Sequence, residues 1–210
     1  TSESLVPMLV ERAKKLVVGK GTDKDTDLGP VISQKQQERL AGFISSGINE
    51  GAKLILDGRK FTTNDKLSGY FIGPTIFDNV TPNMKIYHTE LFGPILCLVR
   101  AKTLSEAISL INSSGYGNGS VIYTDSGPAA KIFSQEVECG MIGINVPVPV
   151  PPANSSFGGW NNSNFGGHNM YGEQGINFYT RIQTTTSRWQ HNGYADELAM
   201  QSYSKEKENT

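Results

Sequence analysis

The sequence predicts an α/β fold built on a largely parallel sheet, and two observations carry this. Three apolar stretches of strand length, "PILCLVRA", "GSVIYT" and "MIGINV", are separated by single amphipathic segments of helix length. Apolar strands that alternate with single helices imply right-handed βαβ crossovers. The helix starts between those strands are also legible. Thr103 and Glu106 have capping-box spacing, and Ser126-Gly127-Pro128 puts proline at a first helical position.

The elements follow in order. Leu5, Met8, Leu9, Ala13 and Leu16 fall along one face of a first helix. A charged, Gly-rich loop, "GKGTDKDTDLGP", leads to a second helix. Ser33 and Gln36 suggest a capping box at its start, its apolar stripe is Leu40, Phe43, Ile44 and Ile48, and Gly51 closes it. "KLILDG" reads as a short strand into a turn, and "YFIGPTIFDNV" as extended chain interrupted by Gly73-Pro74. After "PILCLVRA", a helix turns Leu104, Ala107, Ile108 and Ile111 inward. After "GSVIYT", another runs through Phe133 to Val137. "PVPVPP" is a stiff extended segment. Residues 153–175 are dominated by Asn, Gly and Ser but carry Phe157, Trp160, Phe165 and Tyr171, aromatics that favour burial over a free linker. "INFYTRIQTTTSRW" alternates β-branched and aromatic residues, so a strand is expected over 176–189, followed by a solvated tail over 190–210.

Bulk properties exclude several classes. The 19 basic and 20 acidic residues leave a net charge of -1, which gives no electrostatic reason to expect nucleic acid or an anionic membrane as partner. No apolar run approaches the span of a bilayer, so membrane insertion is not expected. The N-terminus reads as a helix and not as a targeting segment, and with no initiating Met a natural start elsewhere is expected. Two cysteines do not make a disulfide framework, and a reducing compartment fits. The Asn-x-Ser triplets at Asn112 and Asn118 are weak signals in so Asn-rich a chain.

Most motif matches fail on inspection. "DKDTDLG" imitates a calcium loop through Asp23, Asp25 and Asp27. Its glycine comes one position late, and Gln34 stands where a bidentate carboxylate is required. "YGNGSVIY" lacks the third glycine of a dinucleotide loop and precedes its strand. His88, His168 and His191 are too dispersed for a metal site. Cys97 lies mid-strand between leucines and Cys139 beside Glu138, so neither has the lowered pKa of a nucleophile and both read as structural. There remains "HTELFGPIL", an acid and an aromatic, Glu90 and Phe92, at the mouth of a strand. Ligands of open α/β sheets bind at strand ends. A carboxylate there can accept hydrogen bonds from ribose hydroxyls, and an aromatic can flank a planar ring.

"GYFIGPTIFDNV", "ELFGPIL", "EAISLINSSGYGNGSVIYT" and "GMIGIN", in that order, resemble the C-terminal half of the aldehyde dehydrogenase superfamily, as does the upstream "DLGPVISQKQQERLAGFISSGINEGAKLILDG". "YGNG", "NVPVPVP" and "YGEQGINFYTRIQTTTSRW" resemble its CoA-acylating methylmalonate-semialdehyde dehydrogenase branch. The resemblance implies a partial catalytic domain over 1–152, a loop over 153–175 and an oligomerisation strand over 176–189. It matches Glu90 to the glutamate that binds the nicotinamide ribose of NAD, Phe92 to the aromatic beside the nicotinamide, and Phe157 to an aromatic of the substrate pocket. The implied reaction is oxidation of malonate or methylmalonate semialdehyde by NAD through a cysteine thiohemiacetal, with transfer of the acyl group to CoA. The nucleophilic cysteine and the nucleotide-binding domain would lie upstream of this chain, so no catalytic residue is assigned within it. The branch carries arginine at the position of Asn161 and aspartate at that of Gly167. The implied partners are other aldehyde dehydrogenase subunits or the N-terminal half, in an oligomer of the mitochondrial matrix or the cytoplasm. Alternatives are a truncated, non-catalytic relative acting as a structural subunit, or a regulatory partner of intact dehydrogenase subunits.

Overall fold

The computed structural model describes residues 2–61 and 68–187. Its centre is helix α2, Gln34–Asn49, packed on the sheet formed by β1, Lys53–Leu56, β2, Thr75–Val80, and β3, Ile95–Val99. The stripe read from the sequence faces that core. Leu40 and Ile44 are fully buried against Phe77 of β2, with Ile86 and Leu91 closing the cluster. β2 and β3 are parallel, joined through the short helix α3, Lys85–His88. β1 runs antiparallel to β2, so the sheet is mixed at this edge.

The second half repeats the unit. Helix α4, Leu104–Asn112, leads to strand β4, Tyr116–Gly117, and strand β5, Gly119–Ile122. Helix α5, Gly127–Glu136, then crosses to β6, Met141–Ile144, which pairs parallel with β5. Ile108, Phe133, Val137 and Cys139 form this half's core. The helix starts behave as read: the hydroxyl of Thr103 accepts from the Glu106 N–H at 3.1 Å, and that of Ser126 from Ala129 at 3.3 Å.

Four expectations are corrected. The predicted sheet is not continuous. β3 and β5 are separated only by α4 and the two-residue β4, yet they lie in separate sheets. Between them runs a groove of about 480 Å³ lined by Val99, Leu110, Ile111, Gly119, Ser120 and Cys139 among others. β3, predicted to be buried, is also partly open, with Leu96 45% exposed. The first helix, α1, Ser2–Lys14, forms as expected, but its apolar stripe meets no core: none of its residues is buried.

The third correction concerns the C-terminus. The strand expected over 176–189 begins as a helix, α6, Gly172–Tyr179. Residues 180–187 then take no regular structure and have no strand partner among the described residues, and Ile182 is 94% exposed. A strand needs an edge to pair with, whereas a helix closes its own hydrogen bonds. With no edge nearby, the segment from Gly172 takes the local solution, and the Thr180 hydroxyl donates back to the Ile176 carbonyl at 2.8 Å. Residues 188 and 189 and the tail over 190–210 lie outside the described residues.

The aromatics of the Asn/Gly segment, expected to be buried, are mostly not: Trp160 is 53%, Phe165 96% and Tyr171 42% exposed, and Phe157 is half-buried. Strand β7, Trp160–Asn161, pairs antiparallel with β4. Phe157 stacks on Tyr171 at 4.7 Å between centroids and 9° between planes.

One ion pair ties β2 to the end of β3. The Arg100 guanidinium holds both Asp78 oxygens, at 2.8 and 2.6 Å, and the Asp78 side chain is only 9% exposed. The hydrogen bond from Arg100 holds the Asp78 carboxyl below its ordinary range. A depressed native pKa gives stability that is present above the unfolded-state value of about 3.9 and is lost as pH falls through the native one. Asp78→Asn is therefore expected to lower stability by about 2 kcal/mol at pH 7, given that Arg100 is itself 39% exposed. The difference from wild type should shrink as pH falls below about 3.9 and through the depressed native value. Urea unfolding across pH checks this.

Candidate cofactor-contacting site

Glu90 and Phe92 stand on the loop between α3 and β3. The loop enters β3 at its amino end. The rule that sites ligands beyond the carboxyl ends of parallel strands therefore does not place a ligand here, and the reading must rest on the loop itself. Glu90 is exposed, and Phe92 is 83% exposed, between a buried Leu91 and the turn at Gly93. Phe92 has φ +58°, a left-handed conformation that a bulky residue takes only when its surroundings impose it.

Those surroundings are α2. Gln36 donates from Nε2 to the Leu91 carbonyl at 2.9 Å and to that of Phe92 at 3.2 Å. Arg39 donates from Nη1 to the Leu91 carbonyl at 2.8 Å and from Nη2 to that of Glu90 at 3.1 Å. Leu91 packs in the α2 core. Gly93 allows close approach, since a Cβ there would lie 2.5 Å from Leu40 Cδ1. The loop is thus gripped from behind while the Glu90 carboxylate and the Phe92 ring face outward. Sequence reading gave Gln36 to a capping box. Only half of that forms: the Ser33 hydroxyl accepts from the Gln36 N–H at 3.2 Å, but the Gln36 side chain reaches 55 positions along the chain. No local signal could have revealed this.

Phe157, the third expected site residue, lies in the Asn/Gly segment and stacks on Tyr171, away from the Glu90 loop in sequence and held by a different set of contacts. Asn161 sits in β7 opposite Tyr116 with φ +53°, a conformation asparagine tolerates. Both cysteines are poor nucleophiles. Burial pushes the Cys97 thiol up to about 11, and it also raises that of Cys139, whose Sγ lies 3.1 Å from the Met141 carbonyl. Among the described residues no three His, Cys, Asp or Glu groups converge on a possible metal position, and no helix is long and apolar enough to cross a membrane.

The family model described as the aldehyde dehydrogenase family matches residues 1–185. The chain belongs to the aldehyde dehydrogenase family. A malonate-semialdehyde dehydrogenase of Pseudomonas aeruginosa is 46% identical over 188 residues, which are 90% of this chain but 38% of that protein. An acylating, mitochondrial methylmalonate-semialdehyde/malonate-semialdehyde dehydrogenase, assigned as probable in Drosophila melanogaster, is 49% identical over 188 residues, 90% of this chain and 36% of its own length. Among solved structures, a methylmalonate-semialdehyde dehydrogenase assigned in Sinorhizobium meliloti, complexed with NAD, superposes with a TM-score of 0.86 at 47% identity and covers 90% of this chain and 39% of that one. The chain thus spans well under half the length of the relatives it matches. The α/β fold is that of aldehyde dehydrogenases, present in part.

Proposed function

We propose that this chain is the C-terminal part of an NAD-dependent, CoA-acylating malonate- or methylmalonate-semialdehyde dehydrogenase. In this reading it supplies the nicotinamide-ribose contact and a subunit-pairing strand. The observation that carries the reading is the Glu90–Phe92 loop, whose backbone is fixed from behind while an acid and an aromatic face outward. That pair fits a nicotinamide riboside. The Glu90 carboxylate can accept from two ribose hydroxyls, and the Phe92 ring offers an apolar face to a planar ring. NAD, when bound, accepts hydride; the chain's own residues only place it. Phe157 contributes an aromatic wall to the substrate pocket. CoA is the acyl acceptor in this reading, and the mitochondrial matrix is a proposed location alongside the cytoplasm.

The thiolate must come from the length this chain does not span. The groove between β3 and β5 is where we seat a strand of that length, because each of these strands ends its own sheet and both line the groove. Residues 180–187 are the part of the tail left to pair with another subunit.

Glu90 tests the reading. In a protein joining residues 1–187 to the portion of the Pseudomonas aeruginosa relative that this chain does not match, Glu90→Gln is expected to lower kcat about tenfold or more, through poorer nicotinamide placement, with the thermal midpoint unchanged. A drop in thermal midpoint with no separable kinetic effect would mean that Glu90 only supports the fold.

A further inference from the structure

We propose that Arg39 and Gln36 are positioning residues that set the Glu90–Phe92 loop for the nicotinamide. This deepens the cofactor reading above and rests on it. Three consecutive carbonyls, those of Glu90, Leu91 and Phe92, all accept hydrogen bonds from two side chains one helical turn apart on α2. That is an unusual concentration on a stretch with no regular structure of its own. It has a directional consequence. Holding the carbonyls towards α2 and burying Leu91 beneath them turns the flanking side chains, Glu90 and Phe92, away from the helix and out of the fold.

The clamp is itself held. The Arg39 guanidinium lies 5.0 Å from the centroid of the Phe43 ring, one turn further along α2, and Nη1 is 3.4 Å from Gln36 Oε1. Arginine suits this role because its planar fork reaches two successive carbonyls at fixed geometry, which a lysine ammonium on a flexible stem cannot reproduce. The clamp also explains why a phenylalanine keeps a left-handed backbone at a solvent-facing position. Freed from α2, the loop would relax, and the carboxylate and ring would lose their fixed relation.

Limited proteolysis of the chain itself reads the clamp without any activity. Chymotrypsin cleaves after exposed aromatics, and cutting requires local opening. Cleavage after Phe92, identified by fragment mass, is expected to speed up at least tenfold in Arg39→Met. It should speed up less in Arg39→Lys and in Gln36→Leu, with circular dichroism unchanged in all three. If Arg39→Met loses the fold, Gln36→Leu alone decides. Cleavage after Phe92 at the wild-type rate in the folded variants would overturn the clamp. In the joined dehydrogenase, Arg39→Met should raise KM for NAD severalfold with KM for the semialdehyde unchanged, and Arg39→Lys should recover part of the loss. Faster cleavage with no change in KM for NAD, where Glu90→Gln does impair turnover, would overturn the positioning role. No effect of Glu90→Gln would instead sink the cofactor reading, and the cleavage rates would then decide the clamp by themselves.

Discussion

The folded 210-residue chain, supplied with malonate semialdehyde and NAD, is expected to produce no NADH. Aldehyde oxidation in this reading begins with a thiolate, and this chain has no thiol able to become one at neutral pH. Cys97 sits in β3 with its Sγ 3.9 Å from the Ile86 carbonyl and packs against the α2 core. With its thiol at about 11, roughly three molecules in ten thousand carry the thiolate at pH 7.5. Cys139 is buried in the second core, where desolvation acts in the same direction. Among the described residues, no cation lowers either thiol's pKa. NADH formation followed at 340 nm checks the expectation. Activity abolished by Cys97→Ser or Cys139→Ser would show that one of these buried thiols is the nucleophile after all.

Gly140→Ala is expected to be strongly destabilising. A Cβ at Gly140 would lie 1.8 Å from the Gly158 carbonyl oxygen and 3.0 Å from the Gly159 Cα. These obstacles are backbone, so no rotamer change relieves them. The same junction holds a bond from the Gly140 N–H to the Gly117 carbonyl at 2.9 Å and the β4–β7 pair beside it. Relief must push the 158–161 segment away from Gly140 and strain its pairing with β4, which costs about 3 kcal/mol or more. Gly127→Ala is the control, since a Cβ there meets nothing within 4 Å. Urea midpoints measure both. Amide exchange at Asn162, which bonds the Gly115 carbonyl at 3.0 Å, should report the detached segment. Equal midpoints for the two variants would mean that the segment is not seated as described.

The sequence was most informative where structure is local. Ser33, Thr103 and Ser126 cap the helices they were read to cap, and the Leu40–Ile44 stripe found the core, because both signals depend on neighbours within a turn or two. It was least informative where a partner lies far away or outside the chain. β3 and β5 look like neighbours in sequence but do not pair, since adjacency in a sheet depends on every strand present. The 176–189 pattern alternates like a strand, but without an edge to join, its first residues coil into α6. Of the candidate site, the family motif pointed to Glu90 and Phe92, but the conformation of their loop was not legible. Nothing about phenylalanine predicts φ +58°, and nothing about Gln36 predicts a bond to Leu91.

The most direct measurement of the central proposal is NADH formation from malonate semialdehyde by the protein joining residues 1–187 to the portion of the Pseudomonas aeruginosa dehydrogenase that this chain does not match. The proposal predicts CoA-dependent turnover within about a hundredfold of that dehydrogenase, absent from either part alone. A soluble, folded joined protein of the expected mass that binds no NAD and turns over no semialdehyde would contradict it and leave the chain as a non-catalytic relative.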